Sequence, residues 1–228
     1  MSVAVVTGAS RGIGRATALL LAGRGQRLAL LGRPSPELDA TAAAALTAGA
    51  PEARVFHADL ARMSEVDEAA HEILEAYSAP SILVNNAGLI HRVPIESMSV
   101  EQWHEQVEVN LSAPFVLTRA LLPAMRTAGR GRIVNVGSIS STLGTARLSA
   151  YCAAKWGLVG LTKSLAEELT DSGLMAVAVL PGSVDTRMLQ GSGFPPRMTA
   201  DDVARTIVFY ALDAALAHNG GVIEMFGV

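Results

Sequence analysis

The chain has 228 residues, half of them hydrophobic but only 4% aromatic, and its 18 basic and 21 acidic residues leave a formal charge of −3. That composition excludes a disordered chain, and the interspersed charges offer no footprint for nucleic acid or an anionic membrane. The longest purely hydrophobic run, Leu174 to Leu180, falls far short of the ~18 residues of a membrane span, and a single cysteine, Cys152, with five unclustered His leaves no disulfide and no expected metal site.

Ser2 to Val6 reads as a strand rather than an export signal, because no basic region or cleavage site accompanies it, and a cytoplasmic protein is expected. Thr7-Gly8-Ala9-Ser10-Arg11-Gly12-Ile13-Gly14 follows at once and opens a helix over Gly12 to Gly23. Glycine lets the backbone turn tightly and approach a pyrophosphate, while a helix N-terminus presents free N–H groups, so a dinucleotide loop is expected. A strand at Arg27 to Leu31 leads to a helix over Pro36 to Ala48, whose Ala-rich part is a plain surface helix. A strand at Arg54 to His57 then precedes a helix over Ser64 to Tyr77. Next come a strand at Ile82 to Val84, a long helix over Val100 to Thr127 and a strand at Arg132 to Val136. A helix over Ala150 to Asp171, a strand at Met175 to Leu180, a helix over Ala200 to Ala217 and a strand at Val222 to Phe226 complete the series.

This alternation is that of repeated βαβ units, and the third, fourth and sixth strands read as near-continuous apolar runs covered on both faces. The expected fold is α/β: a single-domain Rossmann fold over residues 1–228, a doubly wound parallel sheet of about seven strands with helices on both faces. Ser183 to Thr199 is the one long segment without periodicity, and Gly191, Gly193, Pro195 and Pro196 crowd into it. A substrate lid over 183–199 is expected.

Tyr151 and Lys155 stand four apart, on one face of a helix. A Tyr pKa near 10 is too high for acid/base work at neutral pH, and an ammonium ~4.5 Å away at an effective dielectric of ~20 favours the tyrosinate by ~3.7 kcal/mol. Lys155 is therefore expected to lower the Tyr151 pKa. Asn110 sits in the middle of the long helix, where its propensity is poor. Cys152 is read as packing, His91 and Arg92 as either substrate contacts or an exposed loop, and Trp103 and Trp156 as core or interface residues.

Thr7 to Gly14 matches T-G-x-x-x-G-x-G, and Asp59-Leu60, Asn85-Asn86-Ala87-Gly88, Asn110, Ser138, Tyr151-x-x-x-Lys155 and Pro181-Gly182 follow in order. In these motifs the chain resembles the classical short-chain dehydrogenases/reductases, in general character the bacterial beta-ketoacyl carrier-protein reductases. The resemblance implies that Ser138 bonds the substrate carbonyl, that Asn110 bends its helix and holds a water linked to Lys155, and that Lys155 also holds the nicotinamide ribose. Asn110, Ser138, Tyr151 and Lys155 would form the catalytic tetrad. It also implies that Asp59 and the Leu60 backbone meet the adenine, that Asn86, Ala87 and Gly88 line the cofactor cleft, and that Pro181, Gly182 and Thr186 lie beside the nicotinamide. Gly8, Ser10, Gly12, Ile13 and Gly14 would hold the pyrophosphate.

After the second strand, where an NAD enzyme places a carboxylate for the ribose 2′-hydroxyl, the chain has Leu31-Gly32-Arg33-Pro34. Arg33, with Arg11 in the glycine loop, suits a 2′-phosphate, so NADP(H) is expected over NAD(H). The reaction implied is hydride transfer between cofactor and a carbonyl or secondary alcohol of a small molecule, with Tyr151 exchanging the proton. A cofactor-sensing protein without turnover would carry a damaged tetrad, and an epimerase or dehydratase of the superfamily usually has a longer C-terminal region. The segment after Pro181-Gly182 is shorter than is general in the family, so the resemblance does not by itself imply a carrier-protein substrate. The resemblance further implies a homo-oligomer, a tetramer or a dimer, built through the long helices around residues 100–127 and 150–171.

Overall fold

The structure, a computed structural model, describes residues 2–227. Its strands and helices alternate: β1 Val3–Thr7, α1 Gly12–Gly23, β2 Arg27–Gly32, α2 Pro36–Thr47, β3 Ala53–His57, α3 Met63–Tyr77, β4 Ile82–Asn85 and α4 Val100–Val107. They continue with α5 Ala113–Thr127, β5 Gly131–Val136, α6 Ser149–Glu168, β6 Leu174–Pro181, α7 Ala200–Val208 and β7 Val222–Met225. The strands form one sheet in the order β3-β2-β1-β4-β5-β6-β7, every neighbouring pair parallel. The doubly wound α/β fold expected from the alternation is the fold observed.

Side-chain alternation along β1 shows how the layers are made. Ala4 and Val6 enter a core with Ala18 and Leu21 of α1, Leu38 of α2 and Ile207 of α7, whereas Val3 and Val5 enter a second core with Ile73, Leu117, Leu121 and Leu165. β1, β4 and β6 are buried throughout, as strands covered on both faces must be. β3 departs from the expected apolar run: it is an edge strand, and Arg54 and His57 are exposed. The strand order reverses between β1 and β4, which opens a crevice at their carboxyl ends.

Two expected helices are shorter than their periodicity suggests. The helix over 100–127 is two helices, α4 and α5, joined by a π turn at Glu108–Ser112. Pro114 has no N–H to give the Asn110 carbonyl, and the Asn110 side chain draws on its own helix by donating to the Gln106 carbonyl at 2.8 Å. The helix over 200–217 ends at Val208, passes through a π turn at Phe209–Asp213 and becomes extended at Ala214. Asp213 is held there by Arg24 beyond the end of α1, at 2.7 Å.

Beneath the crevice, β4, β5 and α6 are cross-linked by buried side chains. Asn85 Nδ2 donates to Asn135 Oδ1 at 2.8 Å, Asn135 Nδ2 to Thr162 Oγ1 at 2.9 Å, and Thr162 Oγ1 to the Leu158 carbonyl at 2.7 Å. Low local dielectric makes such bonds costly to break, so they fix the strand ends against the helix that carries Tyr151 and Lys155. The segment 183–199 leaves and returns at one point: Arg197 N–H donates to the Ser183 carbonyl at 2.8 Å and Asp185 N–H to the Met198 carbonyl at 2.9 Å.

Candidate active site

The glycine loop is shaped by contacts that exclude a Cβ. Gly8 has φ +66°, and a Cβ there would lie 2.9 Å from Ala87 Cα; at Gly14 it would lie 2.3 Å from the Gly8 carbonyl oxygen and 2.5 Å from Asn86 Nδ2. Thr7 Oγ1 accepts from the N–H groups of Asn86 and Ala87 at 3.0 and 2.9 Å, while Asn86 Nδ2 donates to the Thr7 carbonyl at 2.9 Å. Loop and 86–88 segment are thus one rigid wall of the crevice. The N-cap of α1 is Arg11, which makes no side-chain cap, and the first turn, with Ile13, carries no acidic residue. Its free N–H groups, with Gly12 and the partly buried Ser10 beside them, are the donors a pyrophosphate needs. The residues present therefore fit a dinucleotide.

Arg33 follows β2 directly, and both Arg33 and Arg11 are exposed and without an ion pair among the described residues. Asp59 forms a turn: its Oδ1 accepts from the Ala61 N–H at 3.1 Å, and the N-cap position of α3 is Arg62, which makes no side-chain cap. The Leu60 side chain belongs to the core, so only its backbone is left to face a ligand. Pro181 pairs with Met225 as the end of β6, and the Gly182 N–H donates to the Met225 carbonyl at 2.8 Å.

Tyr151, Lys155 and Asn110 are buried and Ser138 is half-buried, all at the carboxyl edge of the sheet. Lys155 Nζ donates to the Val136 carbonyl at 2.8 Å and lies 5.8 Å from the centre of the Tyr151 ring. Asn110 Nδ2 donates to the Leu89 carbonyl at 2.7 Å and its Oδ1 accepts from the Leu89 N–H at 3.3 Å. Gly88 sits where these groups meet: a Cβ there would be 3.1 Å from Asn110 Oδ1 and 3.9 Å from Lys155 Nζ. Ser138 caps the turn at Ile139–Ser141, its Oγ accepting from the Ser140 N–H at 3.1 Å. That bond uses an acceptor site and leaves the hydroxyl hydrogen to bond the Tyr151 oxygen or a ligand.

The protonation states differ from the Coulomb expectation. Burial pushes the Tyr151 pKa up to about 12, against a smaller downward pull from the Ser138 hydroxyl, and burial lowers Lys155 to about 8. Each group loses solvation when charged, and Nζ is directed at the Val136 carbonyl.

The sequence profile described as short chain dehydrogenase matches residues 2–193. The chain belongs to that family. It is 35% identical to a 3-oxoacyl-[acyl-carrier-protein] reductase of Synechocystis sp., over 96% of this chain and 92% of that protein. It is 37% identical to a D-beta-hydroxybutyrate dehydrogenase of Cupriavidus necator, over 98% and 96% of the two chains. A metagenomic short-chain oxidoreductase solved in complex with NADP superposes with a TM-score of 0.87 at 36% identity, covering 100% of this chain and 97% of the other. The protein is an oxidoreductase of the short-chain dehydrogenase family, acting between alcohol and carbonyl groups.

Some residues at this dehydrogenase site escaped the sequence reading. Thr7 was read only as the first letter of the glycine motif, and its hydroxyl joins the loop to the 86–88 segment. Asn135 and Thr162 appear only as polar letters inside an apolar strand and a helix. Pro114, four residues after Asn110, marks the helix break directly. Thr186 reaches back over the loop, its Cγ2 3.3 Å from a Cβ built on Gly12, and Met188 Cε lies 3.4 Å from one built on Gly88. Cys152 is part-exposed, and among the described residues its Sγ hydrogen-bonds only the Leu143 carbonyl, at 3.9 Å. Trp103 and Trp156 are exposed, which removes the core alternative for both.

Proposed function

We propose that this short-chain dehydrogenase reduces a small-molecule ketone with NADP(H), using Tyr151 as the proton donor. The observation that carries the reading is the meeting of Asn110 and Lys155 at Gly88, with the Tyr151 ring 5.8 Å from Lys155 Nζ, beside a glycine loop open to a dinucleotide. Bound nicotinamide would supply the hydride in reduction and accept it in oxidation. Burial raises the Tyr151 pKa to about 12, so Tyr151 rests as a phenol at neutral pH and holds the proton that the reduced carbonyl oxygen needs. Ser138 donates its hydroxyl hydrogen to the same oxygen, polarising it. An ammonium has three donors, and Lys155 spends one on Val136, which leaves two for a ribose hydroxyl and for a water. Both amide hydrogens of Asn110 are taken by Leu89 and Gln106. The relay water is therefore held by the Asn110 backbone carbonyl, whose regular helical partner is Pro114. Asp59, Leu60, Pro181, Gly182 and Thr186 keep their cofactor roles in this proposal, and 183–199 its role as the lid over residues of a single domain. NADPH consumption against a panel of ketones tests it; no consumption with any ketone or with NADH refutes it.

The preference for NADP(H) is supported by the unpaired, exposed Arg33 and Arg11. Arg33→Asp replaces attraction for a 2′-phosphate by repulsion and adds an acceptor for a 2′-hydroxyl. The ratio of kcat/KM for NADPH over NADH falls by at least about tenfold, or ~1.4 kcal/mol, and a smaller change means that Arg33 is merely solvated. The homo-oligomer is supported by Phe115 and Trp156, large apolar side chains exposed on α5 and α6. Light scattering at micromolar concentration gives a particle of at least two chains, a tetramer for preference; the mass of one chain refutes it. Among the described residues no helix is long and apolar enough to cross a membrane. A cytoplasmic location belongs to the same proposal and is checked by cell fractionation.

A further inference from the structure

Arg92 follows the 86–88 segment by four residues and reaches across the crevice to the lid. Its Nη2 donates to the Met188 carbonyl at 2.7 Å, and Met188 is the residue whose Cε packs beside Gly88, next to Asn110 and Lys155. The guanidinium thus sits within one residue's reach of the catalytic end, and its charge is felt at the Tyr151 hydroxyl.

The segment that presents Arg92 is pinned on every side. The His91 N–H donates to buried Gln106 Oε1 at 2.9 Å, Arg147 Nη2 donates to the Arg92 carbonyl at 3.1 Å, and the Val93 N–H donates to the Arg147 carbonyl at 3.0 Å. The carboxylate on the facing helix, Glu105, is engaged by His91 Nε2 at 2.7 Å. Asp185 on the lid makes no ion pair among the described residues, nor does Arg92. A guanidinium has five N–H donors in a planar fork, and this one uses a single donor, on a neutral carbonyl.

We infer that Arg92 is a substrate-specificity residue: it recognises a carboxylate on the ketone substrate, so that the preferred substrates are oxo acids. A carboxylate matches the fork in two parallel charge-assisted hydrogen bonds, roughly twice as strong as neutral ones, and displaces the Met188 carbonyl as the lid adjusts. Because the backbone around Arg92 is already fixed, little ordering cost accompanies that exchange.

This inference rests on the reductase reading, and matched substrates separate the two. Acetoacetate and 4-oxopentanoate are compared with their methyl esters at saturating cofactor, for the wild type and for Arg92→Gln. Gln keeps a side-chain N–H donor for the Met188 carbonyl and removes the charge, and Arg92→Lys, which keeps the charge, is the second variant. The wild type prefers the acids; Arg92→Gln lowers kcat/KM for the acids by at least about 30-fold and for the esters by less than about threefold, and Arg92→Lys restores part of the loss. Esters reduced as well as acids by the wild type overturn the inference and leave the reductase standing. An equal fall for acids and esters also overturns it, showing a lid tether only. No turnover of any of the four by enzyme that reduces another ketone of the panel overturns the inference and leaves the reductase standing, whereas no turnover of any ketone, with NADPH or NADH, removes the reductase reading itself.

Discussion

Replacing Tyr151 by Phe lowers ketone reduction by roughly 10³-fold, within the usual span for removing a general acid, and leaves the fold and the cofactor dissociation constant unchanged. Tyr151 is buried and its ring packs over Lys155 Nζ, contacts that Phe preserves. What disappears is one hydroxyl, the more acidic of the two neutral O–H groups in the tetrad. Ser138 cannot replace it, since a serine hydroxyl gives up its proton far less readily. Residual activity above about a tenth of wild type takes the acid role away from Tyr151. Circular dichroism and NADPH fluorescence distinguish lost chemistry from lost structure.

The second large effect is expected at Gly14, where Ala weakens cofactor binding by roughly 100-fold and destabilises the chain by ~1–3 kcal/mol through overpacking. The new Cβ would lie 2.3 Å from the Gly8 carbonyl oxygen and 2.5 Å from Asn86 Nδ2. Neither can retreat cheaply: Gly8 is held against Ala87, and Asn86 Nδ2 is bonded to the Thr7 carbonyl at 2.9 Å. Gly23, at the other end of the same helix, is the control, because a Cβ there meets only the Ala48 carbonyl oxygen at 3.8 Å. Gly23→Ala leaves stability within about 1 kcal/mol and NADPH affinity unaltered. If thermal melts and NADPH titrations of the two variants agree, the glycine loop is not shaped by the Asn86 contact.

The sheet and the glycine loop were legible because each strand is bounded by turn residues and the loop carries its glycines at fixed offsets from a strand and a helix. The edge position of β3 was not, since an isolated Arg-Val-Phe-His segment carries no record of its neighbours. The division of the helix over 100–127 was readable in principle: Pro114 denies Asn110 its partner, and the poor helix former at 110 was already conspicuous. The early end of the last helix was not readable, because residues 209–217 contain no Gly or Pro and the break coincides with a contact to Arg24, distant in sequence. At the site, the spacing of Tyr151 and Lys155 correctly placed them on one helix. Burial, which a spacing cannot report, pushes the Tyr151 pKa up to about 12 and the Lys155 pKa down to about 8.

Hydride transfer by this chain is tested most directly with NADPH carrying deuterium at C4 of the nicotinamide, prepared separately with the label on each face. The best ketone of the panel is reduced with each preparation and the product alcohol is analysed by mass spectrometry and NMR. One preparation should place a single deuterium on the carbinol carbon for every NADPH consumed, and the other none. NADPH consumption without deuterium in the alcohol from either preparation would contradict direct hydride transfer at the site formed by Asn110, Ser138, Tyr151 and Lys155.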